Sequence, residues 1–157
     1  SEYFLIPACL ARKGILLLPE LLLFVPSNYG PFMTPTEVVD AFISAIERQD
    51  IEGAVSLLAP EVSYENMPMA PLVGPEAVKQ TLEMFLAPAT KVLWPVLRQV
   101  EVGDMVFNER LDRFKIGEGW LELPIAGVFE VHNGKITLWR DYFDMDTYST
   151  QMAELTK

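Results

Sequence analysis

Three short stretches place polar side chains at the i, i+2 spacing that a β-strand turns into neighbours on one face: Tyr64-Glu-Asn66, Arg110-Leu-Asp112 and Trp139-Arg-Asp141. The last belongs to the strand candidate Lys135-Ile-Thr-Leu-Trp-Arg-Asp-Tyr-Phe143. With a strict period of two, Lys135, Thr137, Trp139, Asp141 and Phe143 are expected on one face and Ile136, Leu138, Arg140 and Tyr142 on the other. Asp141 then sits between two large aromatics. A carboxylate there is costly to bury unless something pairs with it or uses it. Tyr64-Glu-Asn66 and Arg110-Leu-Asp112 could supply its partners, the second bringing a cation and another carboxylate.

Each stretch also has an ordinary explanation. Arg110 and Asp112 have the spacing of a salt-bridge pair on a solvated strand face, and Glu109 and Arg113 supply further charged neighbours. Tyr64-Glu-Asn66 alone reads as a strand end, and Trp139 and Phe143 alone as core. His132 lies beside the turn dipeptide Asn133-Gly134 and reads as an exposed turn residue. Cys9 has no basic partner in a motif, and Met67 and Met69, between prolines, fit the mouth of a pocket better than a metal site. Only the joint occurrence of the three stretches points to a site.

The elements that must position these residues are legible from Met33 onward. Thr34 or Thr36 caps a helix with Pro35 in its first turn and Val38, Val39, Phe42, Ile43 and Ile46 as its apolar stripe. Asp50 starts a short helix over Ile51–Leu58, and Val62–Met67 is the first strand. Gly74-Pro75 leads into a third helix, Glu76–Leu86, stopped by Pro88. Strands then follow over about Val92–Val102, Met105–Phe114, Trp120–His132 and Lys135–Phe143. Their connections, Gly103-Asp104, Gly117-Glu-Gly119 and Asn133-Gly134, suit antiparallel hairpins. Asp144–Thr156 is a weaker helical tail. Helices followed by a long antiparallel meander make an α+β domain, with helices on one face of a curved sheet and a blind pocket between them.

Composition removes several function classes. A chain of 157 residues with no internal repeat builds one main core. The net charge of −10 argues against a nucleic-acid partner, whose phosphates reward a basic surface. One cysteine cannot build a disulfide framework and one histidine cannot build a histidine-cluster metal site, a pattern that fits a reducing, cytoplasmic compartment.

Residues 1–32 read differently, as an apolar N-terminal leader ahead of a single domain over residues 33–157. Arg12-Lys13 precedes Gly14-Ile-Leu-Leu-Leu-Pro-Glu-Leu-Leu-Leu-Phe-Val25, which resembles a secretory signal. Pro19 and Glu20 interrupt the run, it lies late, and no small-residue cleavage site follows. It falls short of the ~20 apolar residues of a membrane span, so stable membrane insertion is not expected. The leader is read as an appendage that packs on the domain or on a neighbour.

Taken together, Tyr64-Glu-Asn66-Met-Pro, Asn108-Glu-Arg110-Leu-Asp112 and Gly127-Val-Phe followed by Gly134-Lys-Ile-Thr-Leu-Trp-Arg-Asp141-Tyr-Phe-Asp144 resemble the limonene-1,2-epoxide hydrolase family. The resemblance covers about residues 34–144, in order and at matching spacing, and Trp139-Arg-Asp-Tyr-Phe-Asp144 is its most specific run. It implies a nuclear-transport-factor-2-like fold: a cone-shaped, curved, mixed or antiparallel sheet with three to four helices closing a deep pocket. It also implies Asp141 as general base, Asp112 as general acid, Arg110 as the cation between them, and Tyr64 and Asn66 as holders of the nucleophilic water. Substrate-side walls expected from pattern and resemblance are Ile43, Ile46, Leu82, Phe114, Leu123, Ile125, Trp139 and Phe143. No metal or other cofactor is called for.

The implied reaction is one-step hydration of a small apolar or alicyclic epoxide to a vicinal diol, with epoxide and water as the small-molecule partners. Alternatives on the same fold are a ketosteroid-isomerase-like enzyme and a non-catalytic module binding a ligand or protein partner. The first has no arginine between two acids, so Arg110 speaks against it. Apolar residues on both faces of Trp120–His132 (Leu121, Leu123 and Ile125 against Ala126 and Val128) predict a homodimer packed through the sheet.

Overall fold

The structure is a computed structural model and describes residues 33–157; the expected leader lies outside the described residues. Helix α1, Pro35–Glu47, starts in a reciprocal capping box. Glu37 N–H donates to Thr34 Oγ1 at 3.2 Å, and Thr34 N–H donates to the Glu37 carboxylate at 2.8 Å. Its whole apolar stripe is buried, and Phe42 meets Trp139 edge-on at 4.9 Å between ring centroids. Helix α2, Ile51–Val55, is capped by Asp50, which accepts from Gly53 N–H at 2.9 Å.

Helix α2 is shorter than its pattern predicts, because Leu58 opens strand β1, Leu58–Met67. Leu57 C=O accepts from Ile136 N–H at 2.9 Å, and Leu58 pairs with Ile136, so sheet pairing overrides the helical spacing there. The two-residue strand β2, Leu72–Val73, and helix α3, Pro75–Leu86, follow. The expected long strand over residues 92–102 is two strands, β3 at Lys91–Leu93 and β4 at Val96–Val102. Both lie along one edge of β5, Met105–Ile116, and the break falls at Trp94-Pro95. Proline cannot donate to a ladder, but Pro95 C=O still accepts from Leu111 N–H at 3.1 Å, so the kink stays attached to β5.

Strands β6, Gly119–His132, and β7, Lys135–Tyr142, complete the antiparallel run, joined through Asn133 and Gly134 at φ 52° and 75°. The sheet order is β2-β1-β7-β6-β5-β3, with β4 also on β5. Strand β1 joins parallel to β7, so the sheet is mixed. Past Ala126, β6 has β7 beside it; before that point its free edge meets helix α4, Met145–Leu155. There Gln151 imitates a strand: its Oε1 accepts from Glu122 N–H at 2.8 Å and its Nε2 donates to Glu122 C=O at 2.9 Å.

The face assignment on β7 needs one correction. Register shifts between Glu130↔Leu138 and Val131↔Ile136, a bulge around Thr137. Beyond it the two-residue alternation slips by one. Ile136, not Lys135, therefore shares the buried face with Trp139 and Asp141, while Lys135 is exposed and Thr137 only half-buried.

Candidate active site

Strand β5 points Asn108, Arg110, Asp112 and Phe114 to the interior, and β7 points Trp139 and Asp141 there. The parallel register of β1 on β7 puts Tyr64 beside Trp139 and Asn66 beside Asp141. Between them runs β6, where Gly127 is the cross-strand neighbour of Asn108 on one side and of Asp141 on the other. Sequence positions that are far apart thus converge because four adjacent strands present the same face.

At the centre, Arg110 is fully buried, with Asp112 4 % and Asp141 3 % exposed. Its Nε donates to Asp112 Oδ1 at 2.8 Å and its Nη2 to Asp112 Oδ2 at 3.2 Å. The same Nη2 donates to Asp141 Oδ2 at 2.7 Å, so one guanidinium nitrogen bridges both carboxylates. Nη1 turns the other way, to Asn108 Oδ1 at 3.1 Å. Trp139 Nε1 donates to Asp141 Oδ2 at 2.9 Å, and Asn66 Nδ2 donates to Tyr64 Oη at 2.6 Å. The Tyr64 and Trp139 rings stack with centroids 3.9 Å apart. Arg110 also lies 5.0 Å from the Trp94 ring centroid, a cation over an indole.

Charge bookkeeping explains the protonation pattern. Two carboxylates around one guanidinium carry net −1, and protonating one brings the buried group to neutrality. Burial pushes Asp112 up to about 7, with Arg110 opposing it and the Asp141 charge adding to it. Burial, then the Asp141 charge, raises the Tyr64 hydroxyl above its ordinary value. Burial alone would lower Arg110, but Asp141 and Asp112 outweigh it and hold the guanidinium charged. Asp141 Oδ1 is buried and accepts from no protein donor. An acceptor left in that state costs roughly 1–3 kcal/mol, so Oδ1 is the oxygen of this cluster open to a hydrogen bond from a small donor.

A cavity of about 400 Å³ opens onto this cluster. Tyr64, Asn66, Asp112 and Asp141 form its polar end, and Leu82, Phe114, Leu123, Ile125, Trp139 and Phe143 are among its apolar walls. Ile43 and Ile46 do not line it. They are buried in the core beneath α1, and the cavity is instead covered by α3 through Leu82 and Phe85 and by α4 through Tyr148. Pattern alone could not tell which helix covers core and which covers the opening. Trp94, Phe85, Met84, Met145 and Tyr148 are not among the walls expected from the sequence, yet they line the cavity. Trp139 proves to be a hydrogen-bond donor to Asp141 as well as a wall, for which i, i+2 spacing was the available signal.

The solvated salt-bridge explanation of Arg110 fails on burial. The neighbouring charges look outward instead: Glu109 pairs with Arg98, and Arg113 pairs with Glu122 at 2.6 Å. His132 is exposed beside Asp104, 3.3 Å away. Among the described residues no three His, Cys, Asp or Glu side chains gather as metal ligands, and no helix is long and apolar enough to cross a membrane.

Residues 33–153 match the family described as the limonene-1,2-epoxide hydrolase catalytic domain. The chain is 32 % identical over 109 residues to epoxide hydrolase EphG of Mycobacterium tuberculosis, covering 68 % of this chain and 71 % of that protein. A solved M. tuberculosis limonene-epoxide-hydrolase-like epoxide hydrolase superposes with a TM-score of 0.67 at 28 % identity, over 76 % of this chain and 90 % of that one. A hypothetical protein with a ketosteroid-isomerase-like fold from Catenulispora acidiphila gives a TM-score of 0.67 at 21 % identity, over 76 % and 93 % of the two chains, a likeness of fold alone. The chain therefore belongs to the limonene-1,2-epoxide hydrolase family of epoxide hydrolases.

Proposed function

We propose that the protein is a cofactor-independent epoxide hydrolase that hydrates a small apolar or alicyclic epoxide to a vicinal diol in one step. The observation that carries this is the single Arg110 Nη2 bridging two buried carboxylates at the polar end of an apolar cavity. Asp141, through its unpartnered Oδ1, takes a proton from water, whose oxygen forms the new bond to one epoxide carbon. The carbon–oxygen bond of the ring breaks as Asp112 gives its proton to the departing oxygen. Tyr64 and Asn66 orient the water, and alignment of attack is where such groups act. A positioned base contributes roughly 10²–10⁴-fold, and acid assistance to the leaving oxygen adds to it. Turnover leaves the proton on Asp141, and its return to Asp112 resets a pair that holds one proton throughout.

Attack by water and attack by a carboxylate are distinguished in a single turnover of cyclohexene oxide in ¹⁸O-water. One-step hydration puts label in the diol on the first turnover. An ester intermediate on Asp112 or Asp141 delivers unlabelled oxygen first, and that result overturns the mechanism. Isomerisation of a ketosteroid without diol formation from cyclohexene oxide or limonene oxide overturns the function.

The outer sheet face supports a homodimer. Val100 pairs with Phe107 and Phe107 with Val128 in a row across β4, β5 and β6, and Val100, Val102, Phe107 and Tyr142 are exposed. A second copy packed there shields that row. A single cysteine, which offers no internal disulfide, supports the cytoplasmic assignment.

A further inference from the structure

The edge of Arg110 that turns away from the carboxylates is built as closely as the edge that meets them. Nη1 donates to Asn108 Oδ1 at 3.1 Å, and since a guanidinium only donates, this fixes which end of the Asn108 amide faces it. Asn108 Nδ2 then donates to Gln99 Oε1 at 3.2 Å, and Gln99 Nε2 donates to Asp40 Oδ1 at 2.8 Å. A chain of hydrogen bonds thus runs from the buried cation to a carboxylate on α1. Beneath the guanidinium lies Gly127. A Cβ there would stand 2.3 Å from Arg110 Nη1, 2.6 Å from Asn108 Oδ1 and 3.2 Å from Asp141 Oδ1. Arginine is flexible, but this one cannot retreat without giving up bonds to Asn108, Asp112 or Asp141, and the Trp94 and Phe129 rings stand 5.0 and 6.0 Å from its central carbon.

We propose that Asn108 and Gly127 are positioning residues of the reaction centre: Gly127 leaves the space in which the guanidinium lies, and Asn108, held through Gln99 by Asp40, tethers Nη1 so that Nη2 bridges both carboxylates. The catalytic consequence rests on the hydrolase reading; the cradle itself does not. A displaced or loosened guanidinium stabilises the Asp112 carboxylate less. The other charged or titratable groups facing Asp112 are Asp141 from β7, Tyr64 from β1 and Glu47 from α1, with Tyr148 of α4 on the cavity wall. Glu47 accepts from Trp94 N–H at 2.7 Å and is not part of the cradle. With the cation farther off, burial and these acids dominate, and Asp112 holds its proton to higher pH.

The test uses the full chain as wild type, Gly127→Ala and Asn108→Ala. The Asp112 carboxyl is titrated by ¹³C NMR, assigned by its loss in Asp112→Asn, beside steady-state hydration of cyclohexene oxide. In Gly127→Ala the Asp112 midpoint is expected to rise by about one pH unit or more. Turnover is expected to fall roughly tenfold or more with KM within about threefold. Asn108→Ala moves both readouts in the same direction by less. A folded Gly127→Ala with an unmoved midpoint overturns the proposal, including when thermal stability or turnover has dropped, because that is a packing effect only. If Gly127→Ala does not fold, Asn108→Ala decides: it adds no atoms, and an unmoved midpoint there overturns the proposal. Should the wild type form no diol, the hydrolase reading falls while the titration still decides the cradle.

Discussion

Asp112 accepts two hydrogen bonds from Arg110 and still titrates near 7, because burial and the Asp141 charge across the same guanidinium outweigh that stabilisation. As a proton donor it must be protonated, so turnover is expected to fall as pH rises through about 7, seen as a descending limb in kcat. Stability follows the same sign. The folded state holds this proton more tightly than the unfolded chain, so the contribution is complete below the ordinary value of 3.8 and is lost as pH rises through about 7. Asp112→Asn keeps the size without ionising. Its thermal midpoint is therefore expected to exceed that of the wild type by several degrees at pH 8 and to differ little at pH 4. A variant less stable than the wild type at pH 8 contradicts this account of the buried charge. Turnover behaves oppositely. Asp112→Asn and Asp141→Asn each remove one end of the proton transfer and are expected to lose roughly 10³-fold or more in kcat. The double variant should lose little beyond either single one, since the pair acts as a unit. Near-normal diol formation by either single variant refutes the roles.

At the scale of elements, α4 joins the site to the sheet edge. Gln151 replaces a missing strand partner for Glu122, and Tyr148, one helical turn earlier, lines the cavity. Gln151→Ala leaves two backbone groups of β6 without those partners, at about 1 kcal/mol for each lost bond. It is expected to raise KM several-fold with a smaller change in kcat, and to speed amide exchange at Glu122; unchanged exchange there shows that the clamp carries nothing. The sequence signals that held were local and chemical. Thr34, one of two threonines expected to cap the first helix, does so, Asn133-Gly134 turns a hairpin, and i, i+2 spacing gathers Arg110 with Asp112 and Trp139 with Asp141. What was illegible depends on partners far away in the chain. The bulge at Thr137 that moves Ile136 inward is set by β6, and the early start of β1 by its pairing with Ile136. Ile43 and Ile46 show the same limit: a helical stripe says that a face is buried, not whether core or cavity lies against it.

At the scale of the molecule, both remaining expectations concern surfaces outside the cavity. A row in which Val100 and Phe107 are exposed and Val128 half-buried is more apolar than a free sheet face requires, and an isologous contact there is expected to bury on the order of 1,600 Å² in total. Light scattering at micromolar concentration should give the mass of two chains, and a monomer refutes the dimer. Residues 1–32 pose the second question. The family match begins at residue 33, and Tyr64, Asn66, Arg110, Asp112 and Asp141 all lie within it. If the leader is an appendage, a chain beginning at Met33 keeps the acid, the base, the cation and the water-orienting pair, and its kcat and KM for cyclohexene oxide are expected within a few-fold of the full chain. If the leader instead contributes to binding, the acid/base step survives its removal while KM rises, because lost binding without lost chemistry appears in KM alone. A steep rise in KM with dimerisation intact therefore overturns the appendage reading, whereas a parallel loss of kcat and dimer mass places the leader's contribution in assembly.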